Sequence, residues 1–216
     1  MKIVYVLCLV FVGCATTTPY EIKNNVPFNQ IEFNRATAVG IAIYNDSING
    51  LKQVIEADCA RFAGKPMTFY DLSEEMSLVD NQTGISNPGH LNQKYGDIKY
   101  IIAVVEYQSN IRKDYYTQET GSYSLPTRTR VSVFLETTME IPCDIMLFQL
   151  PEGQLIAKAK KTFSETNTAT SGIWLPEILA DFEIESSDSR YPEVQNVSAD
   201  RAANYFYNFL KDIDIH

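Results

Sequence analysis

The sequence predicts an α/β (α+β) fold: a single mixed β-sheet that starts with a βαβ unit, continues in antiparallel hairpins and carries an amphipathic C-terminal helix packed on one face. Three observations lead there. Ala36 to Tyr44 is a nearly continuous run of apolar and small residues, which suits a strand covered on both faces. A stripe of apolar residues at helical spacing follows it, and strand character then returns. Further along, Pro151-Glu152-Gly153 offers a hairpin turn between two strand-like runs.

Each element has its own signal. Ile48, Leu51, Val54, Ile55, Cys59 and Phe62 recur on one helical face, with Asn45-Asp46-Ser47 as N-cap and Gly64 and Pro66 as the stop. Met67 to Tyr70 completes the βαβ unit over 36–72. Residues 73–96 are polar and predict a short helix near 73–79 followed by loop. Tyr100 to Tyr107 is another buried strand, and Ser109 to Thr127 is a polar hairpin tip or long loop. Arg128 to Glu136, Glu140 to Leu150 and Gln154 to Phe163 predict antiparallel strands. Residues 164–197, with the only tryptophan, Trp174, predict a surface excursion. Ser198 is an N-cap for a closing helix whose Ala202, Tyr205, Phe206, Phe209, Leu210 and Ile213 share a face.

With 216 residues, 45% of them hydrophobic, the chain has material for one core, expected over 36–216. The formal charge of -9 has the wrong sign for neutralising phosphates, so nucleic acid is excluded as an expected partner.

At the N-terminus, Lys2 precedes the apolar run Ile3 to Val12, about 15 Å long as a helix and too short to span a bilayer. A charged start, a short apolar stretch and the small Gly13 make a secretory-signal pattern. The tetrad Phe11-Val12-Gly13-Cys14 resembles the bacterial lipoprotein signal, in which the cysteine becomes the lipidated first residue of the mature protein. The resemblance implies a signal peptide over 1–13, acyl chains (palmitate among them) on Cys14 and, since Ala15 is not Asp, anchoring in the outer membrane with the domain in the periplasm. Phe11 stands where that signal most often has Leu. Ala15-Thr16-Thr17-Thr18-Pro19 has the small, polar composition of a tether, and 14–35 is expected to be tether and extension.

Once Cys8 and Cys14 are set aside, Cys59 and Cys143 remain, either as a bridge or as two buried thiols. His90 and His216 offer no metal-ligand spacing beside them, and Asp181, Glu183, Glu185 and Asp188 lack the Gly-turned spacing of a calcium loop, so no metal or cofactor is expected.

The strand Ala38-Val39-Gly40-Ile41-Ala42-Ile43, its helix, Gly96-Asp97-Ile98-Lys99-Tyr100, the turn Leu150 to Gln154 before Leu155-Ile156-Ala157-Lys158-Ala159, and the closing helix together resemble the periplasmic domains of the curli-secretion lipoproteins and of the lipoprotein activators of penicillin-binding proteins. The resemblance covers roughly 36–163 plus the last helix. It implies an α/β envelope domain and brings no catalytic residues.

No Gly-x-Ser-x-Gly elbow, phosphate loop or dinucleotide fingerprint is present, nor a histidine placed to serve as base for a nucleophile. Carboxylates for a hydrolase of envelope polymers exist in Glu74, Glu75, Glu106, Glu136 and Glu140, but among 27 acidic residues some pair always looks suitable. The expected function is therefore non-enzymatic: a membrane-anchored lipoprotein that binds or supports another envelope component, a protein or cell-wall partner. Tyr115, Tyr116 and Tyr123 are the candidate contact residues, because tyrosines in polar sequence offer large, rigid contact area.

Overall fold

The computed structural model describes residues 20–21, 31–80, 84–122, 129–174 and 187–214. In chain order its elements are β1 (Tyr20–Glu21), β2 (Ala38–Tyr44), β3 (Ile48–Asn49), α1 (Leu51–Ala63), β4 (Thr68–Asp71), β5 (Val79–Asp80), β6 (Gly84–Ile85), α2 (Pro88–Lys94), β7 (Ile98–Glu106), β8 (Asn110–Ser122), β9 (Thr129–Gln149), β10 (Gln154–Trp174), β11 (Val197–Ser198) and α3 (Tyr205–Asp214). The fold is mixed α/β, with a curled mixed sheet and the C-terminal helix packed against it.

The main sheet runs β1-β10-β9-β7-β2-β4, with β8 also paired to β9. Strands β4, β2 and β7 are mutually parallel, as the βαβ reading requires, while β9, β10 and β1 add antiparallel. The apolar run at β2 is legible because both its faces are covered: Val39, Ile41 and Ile43 pack under α1 and α3, and Ala42 packs on the opposite side. From α1 come Leu51, Ile55 and Cys59, and from α3 Phe206, Phe209, Leu210 and Ile213, all within one core. The second face carries a smaller layer around Leu72, Ile85 and Leu91 against Ile101, Ala103, Met146 and Phe148. This layer includes α2, a helix that the polar stretch 73–96 did not predict. The expected helix near 73–79 is a 3₁₀ helix over Ser73–Leu78. Gly40 marks the close approach of that layer, since a Cβ there would run into Leu72 and lie 3.2 Å from Ile101 Cγ1.

Several boundaries differ from the sequence reading. The N-cap of α1 is Gly50, in the left-handed region at φ 86°, and not Asn45-Asp46-Ser47. The reason is that Ile48–Asn49 first pairs in parallel with Val197–Ser198, so the chain must reverse sharply before the helix can begin. Residues 109–127, expected as a hairpin tip or a long loop, hold the 13-residue strand β8, which pairs antiparallel with β9. The two runs 128–136 and 140–150 are one strand of 21 residues, β9, and β10 matches it at 21 residues instead of ending at Phe163. The first half of β9 pairs with β8 and the second half with β7. Residues 107–109 bridge the two partners opposite Ile141 and Pro142, so the missing N–H of Pro142 falls at the break, and its carbonyl accepts from Tyr107 N–H at 2.9 Å. Ser198 does cap a helical turn, accepting from Asp200 N–H at 3.3 Å, but that turn is a 3₁₀ helix (Ala199–Ala202) ahead of α3.

Candidate functional site

Beyond the helix-covered part of the sheet, β8 and the adjoining halves of β9 and β10 make a three-stranded antiparallel ribbon. Alternation along β9 gives it two unlike faces. Val133 and Leu135 are buried on one, opposite Thr117 and Tyr115, where the Tyr191 ring lies with Lys113 Nζ 5.3 Å from its centroid. Asn167 on β10 holds the same 187–197 segment by donating to the Glu193 carbonyl at 2.7 Å. The other face carries Tyr116 stacked on Phe134, centroids 4.8 Å apart and planes at 8°, in a directly opposed cross-strand pair. Partial desolvation, and then the neighbouring Glu136 carboxylate, push the pKa of Tyr116 up.

The ribbon leaves unusual surface exposed. Ile111 is 54% exposed, Tyr115 41% and Tyr116 47%, all on β8, which among the described residues pairs only with β9. Its outer row of N–H and C=O groups is an open sheet edge. Thus the structure brings Tyr115 and Tyr116 together on adjacent positions of one edge strand, their rings on opposite faces. Tyr123 and the lipidation candidate Cys14 lie outside the described residues, as do Asp181, Glu183, Glu185 and His216.

The carboxylates singled out in the sequence each have separate surroundings. Glu75 takes the Lys94 ammonium at 2.7 Å and the Tyr95 hydroxyl at 3.0 Å, and the lysine holds it below the usual carboxylate range. Glu106 is buried at the C-terminal end of β7, where its Oε2 accepts from Ser47 N–H and its backbone carbonyl accepts from Asn45 Nδ2 at 2.8 Å. Its Oε1 has no partner among the described residues, and burial pushes its pKa up. Glu136 accepts from the Thr168 hydroxyl at 3.4 Å, Glu140 stands opposite Asn110 and Ser164, and Glu74 is exposed. Asp188 is saturated by Arg190, which lowers its pKa.

Cys59 and Cys143 are both free and buried; desolvation raises both thiols, Cys143 to about 12. Among the described residues no group of His, Cys, Asp and Glu is arranged to hold a metal ion.

The clefts on the surface of the described residues include two along β10. One, of about 360 Å³, is lined by Glu165, Asn167, Glu193, Gln195, Asn196 and Ser198, with Glu165 already bound by Arg201 at 2.5 Å. The other, of about 320 Å³, is lined by Tyr107, Cys143, Asp144, Lys160, Lys161 and Thr162 beside Pro142. The sequence carried no signal for it, because it assembles from β9, β10 and Tyr107 in the break between β7 and β8.

No known protein-family model matches this chain, and no curated protein is significantly similar to it. Among solved structures it is similar to the lipoprotein GNA1162 of Neisseria meningitidis, at 11% identity and TM-score 0.34 over 61% of this chain and 84% of that one. It is also similar to a chain of the PelC dodecamer of Paraburkholderia phytofirmans, at 11% identity and TM-score 0.29 over 61% and 74%. A minor lipoprotein of Acinetobacter baumannii matches at 10% identity and TM-score 0.22 over 62% and 69%. Likeness at these scores carries no inference about activity or partners.

Proposed function

We propose that this chain is a non-enzymatic lipoprotein of a Gram-negative cell envelope, anchored in the outer membrane through acylated Cys14, whose α/β domain binds another envelope component, a protein or the cell wall, in the periplasm. The observation that carries the binding role is the exposed ribbon. Ile111, Tyr115 and Tyr116 stand uncovered along an open sheet edge, and exposed apolar side chains clustered on one strand mark contact surfaces. The anchoring role is supported by the Phe11-Val12-Gly13-Cys14 tetrad and its polar tether. Among the described residues, no helix is long and apolar enough to cross a membrane.

The test is fractionation of Cys14→Ser. The variant is expected to keep its fold and leave the membrane fraction, and its retention there after a high-salt wash overturns the anchoring.

A further inference from the structure

We propose that β8 of one chain pairs antiparallel with β8 of a second copy about a two-fold axis at Tyr116, joining the ribbons of the two chains into one continuous sheet. The proposal goes beyond the envelope-binding reading, because it takes the edge of the ribbon and leaves both faces to another component.

The edge is suited to strand addition. From Asn110 to Glu119, β8 follows β9 without a register shift, which comes only between Glu119 and Ser122. No proline interrupts this stretch. Among the described residues β8 pairs only with β9, so its outer N–H and C=O groups are placed to take up another strand.

Symmetry selects a second copy and narrows the register. A two-fold axis perpendicular to the sheet always sets residues of the same face opposite each other. Centred on Lys113 or Asp114, it opposes like charges, which is destabilising. Centred on Tyr116, it opposes none: Asp114 meets Gln118 on one face, while on the other Tyr115 meets Thr117 and Lys113 meets position 119, a glutamate. Arg112, Lys113, Asp114 and Glu119 also cancel, so this strand is neutral in a chain whose net charge is -9, and copies do not repel along it.

The aromatic pair decides against a register centred on Tyr115. The Tyr116 ring lies on Phe134 at 4.8 Å with planes at 8°, a separation equal to the spacing of neighbouring strands. Phe134 is on β9, so the other face of the Tyr116 ring is turned toward the open edge, and Tyr116 is 47% exposed. An axis at Tyr116 brings these two open ring faces together and runs the stack through Phe134 and Tyr116 of both copies. An axis at Tyr115 sets Tyr116 against Asp114 and leaves each stack ending in solvent.

The experiment uses the full chain carrying Cys14→Ser, free of acyl chains, and follows its mass by light scattering as concentration rises. Twice the mass of one chain is expected. Tyr116→Lys and Tyr116→Glu, added to it singly, each set like charges on the axis and should weaken self-association about tenfold or more at a Tm near the parent's, while their equimolar mixture regains the double mass. A parent that stays at single mass, variants that associate as well as the parent, or a mixture of folded variants that stays at single mass overturns the proposal. Association through the apolar run 3–12 reads out as the second of these outcomes. Tyr116→Cys covers the case in which the charged variants do not fold: mild oxidation should give a disulfide-linked pair that is absent from the parent and from Asp114→Cys. Its absence, or equal linkage in all three, overturns the pairing.

Discussion

The carboxylate of Asp58 in α1 accepts hydrogen bonds from the backbone N–H of Phe206 at 3.1 Å, and of Tyr207 at 3.2 Å, in the first turn of α3. The acceptor that a helix normally takes from its own N-cap side chain comes here from another helix. Asn204, just ahead of α3 in the left-handed region, binds Arg61 through its side chain at 2.7 Å, and Arg61 closes the group by pairing with Asp58 at 3.0 Å.

Asp58→Ala is expected to lower stability by about 2 kcal/mol, since the buried N–H of Phe206 and the part-buried N–H of Tyr207 lose their acceptor. Asp58→Asn, which keeps one oxygen, recovers most of it. Urea denaturation of the three proteins measures both differences.

Leu51, fully buried at the start of α1, lies against the main core. Leu51→Ala is expected to cost about 2 to 5 kcal/mol through lost burial and the cavity left behind. Chemical denaturation checks it, and a loss of a few tenths contradicts the packing of α1 on the sheet.

Glu106 supplies a pH dependence. Its folded pKa is raised by burial, so the native state holds this proton more tightly than the unfolded chain. Its contribution to stability is fully present below its ordinary value of 4.5 and is lost as pH rises through the raised folded value. Glu106→Gln, which keeps an acceptor for Ser47 without the charge, is expected to melt at or above the parent Tm at neutral pH and to converge with it at pH 4. Melts across that range decide it, and a variant destabilised at neutral pH contradicts the assignment.

Replacing Tyr115, Tyr116 and Tyr123 together by Ser tests the ribbon as a contact surface. Partner capture from envelope extract is expected to fall while Tm changes little, because Tyr115 and Tyr116 are 41% and 47% exposed. A large fall in Tm makes the tyrosines part of the ribbon's own packing, and unchanged capture removes them from the interface.

The βαβ unit was legible in the sequence because burial on both faces leaves a strand no room for polar residues, as β2 shows from Ala38 to Ile43. The stripe of α1 was legible for the same reason at helical spacing. By contrast, β8 gives no alternation to read: Asn110 to Gln118 is exposed throughout, so its strand conformation is imposed by the ladder with β9 rather than by burial. The continuity of β9 was hidden by Thr137, Thr138 and Pro142 in its middle. The two threonines are buried, and Thr138 is satisfied by Thr166 across the strand at 2.9 Å, a pairing that no local pattern announces. The tyrosine candidates were chosen for their place in a polar segment, which says nothing of the faces that Tyr115 and Tyr116 occupy. Glu106 and the cleft beside Pro142 were not distinguishable, because what sets them apart is their neighbours in space.

The pairing of β1 with β10 also orders events in time. Synthesis produces Tyr20 long before Ala159, and Asp58 long before Phe206, so an early segment and an early helix both wait for late partners. Contacts this distant along the chain slow folding and postpone the completion of the core until nearly the whole chain is free to fold. A nascent chain arrested before Phe206 would expose the Leu51, Ile55 and Cys59 face of α1, leaving it a ready substrate for chaperones and proteases.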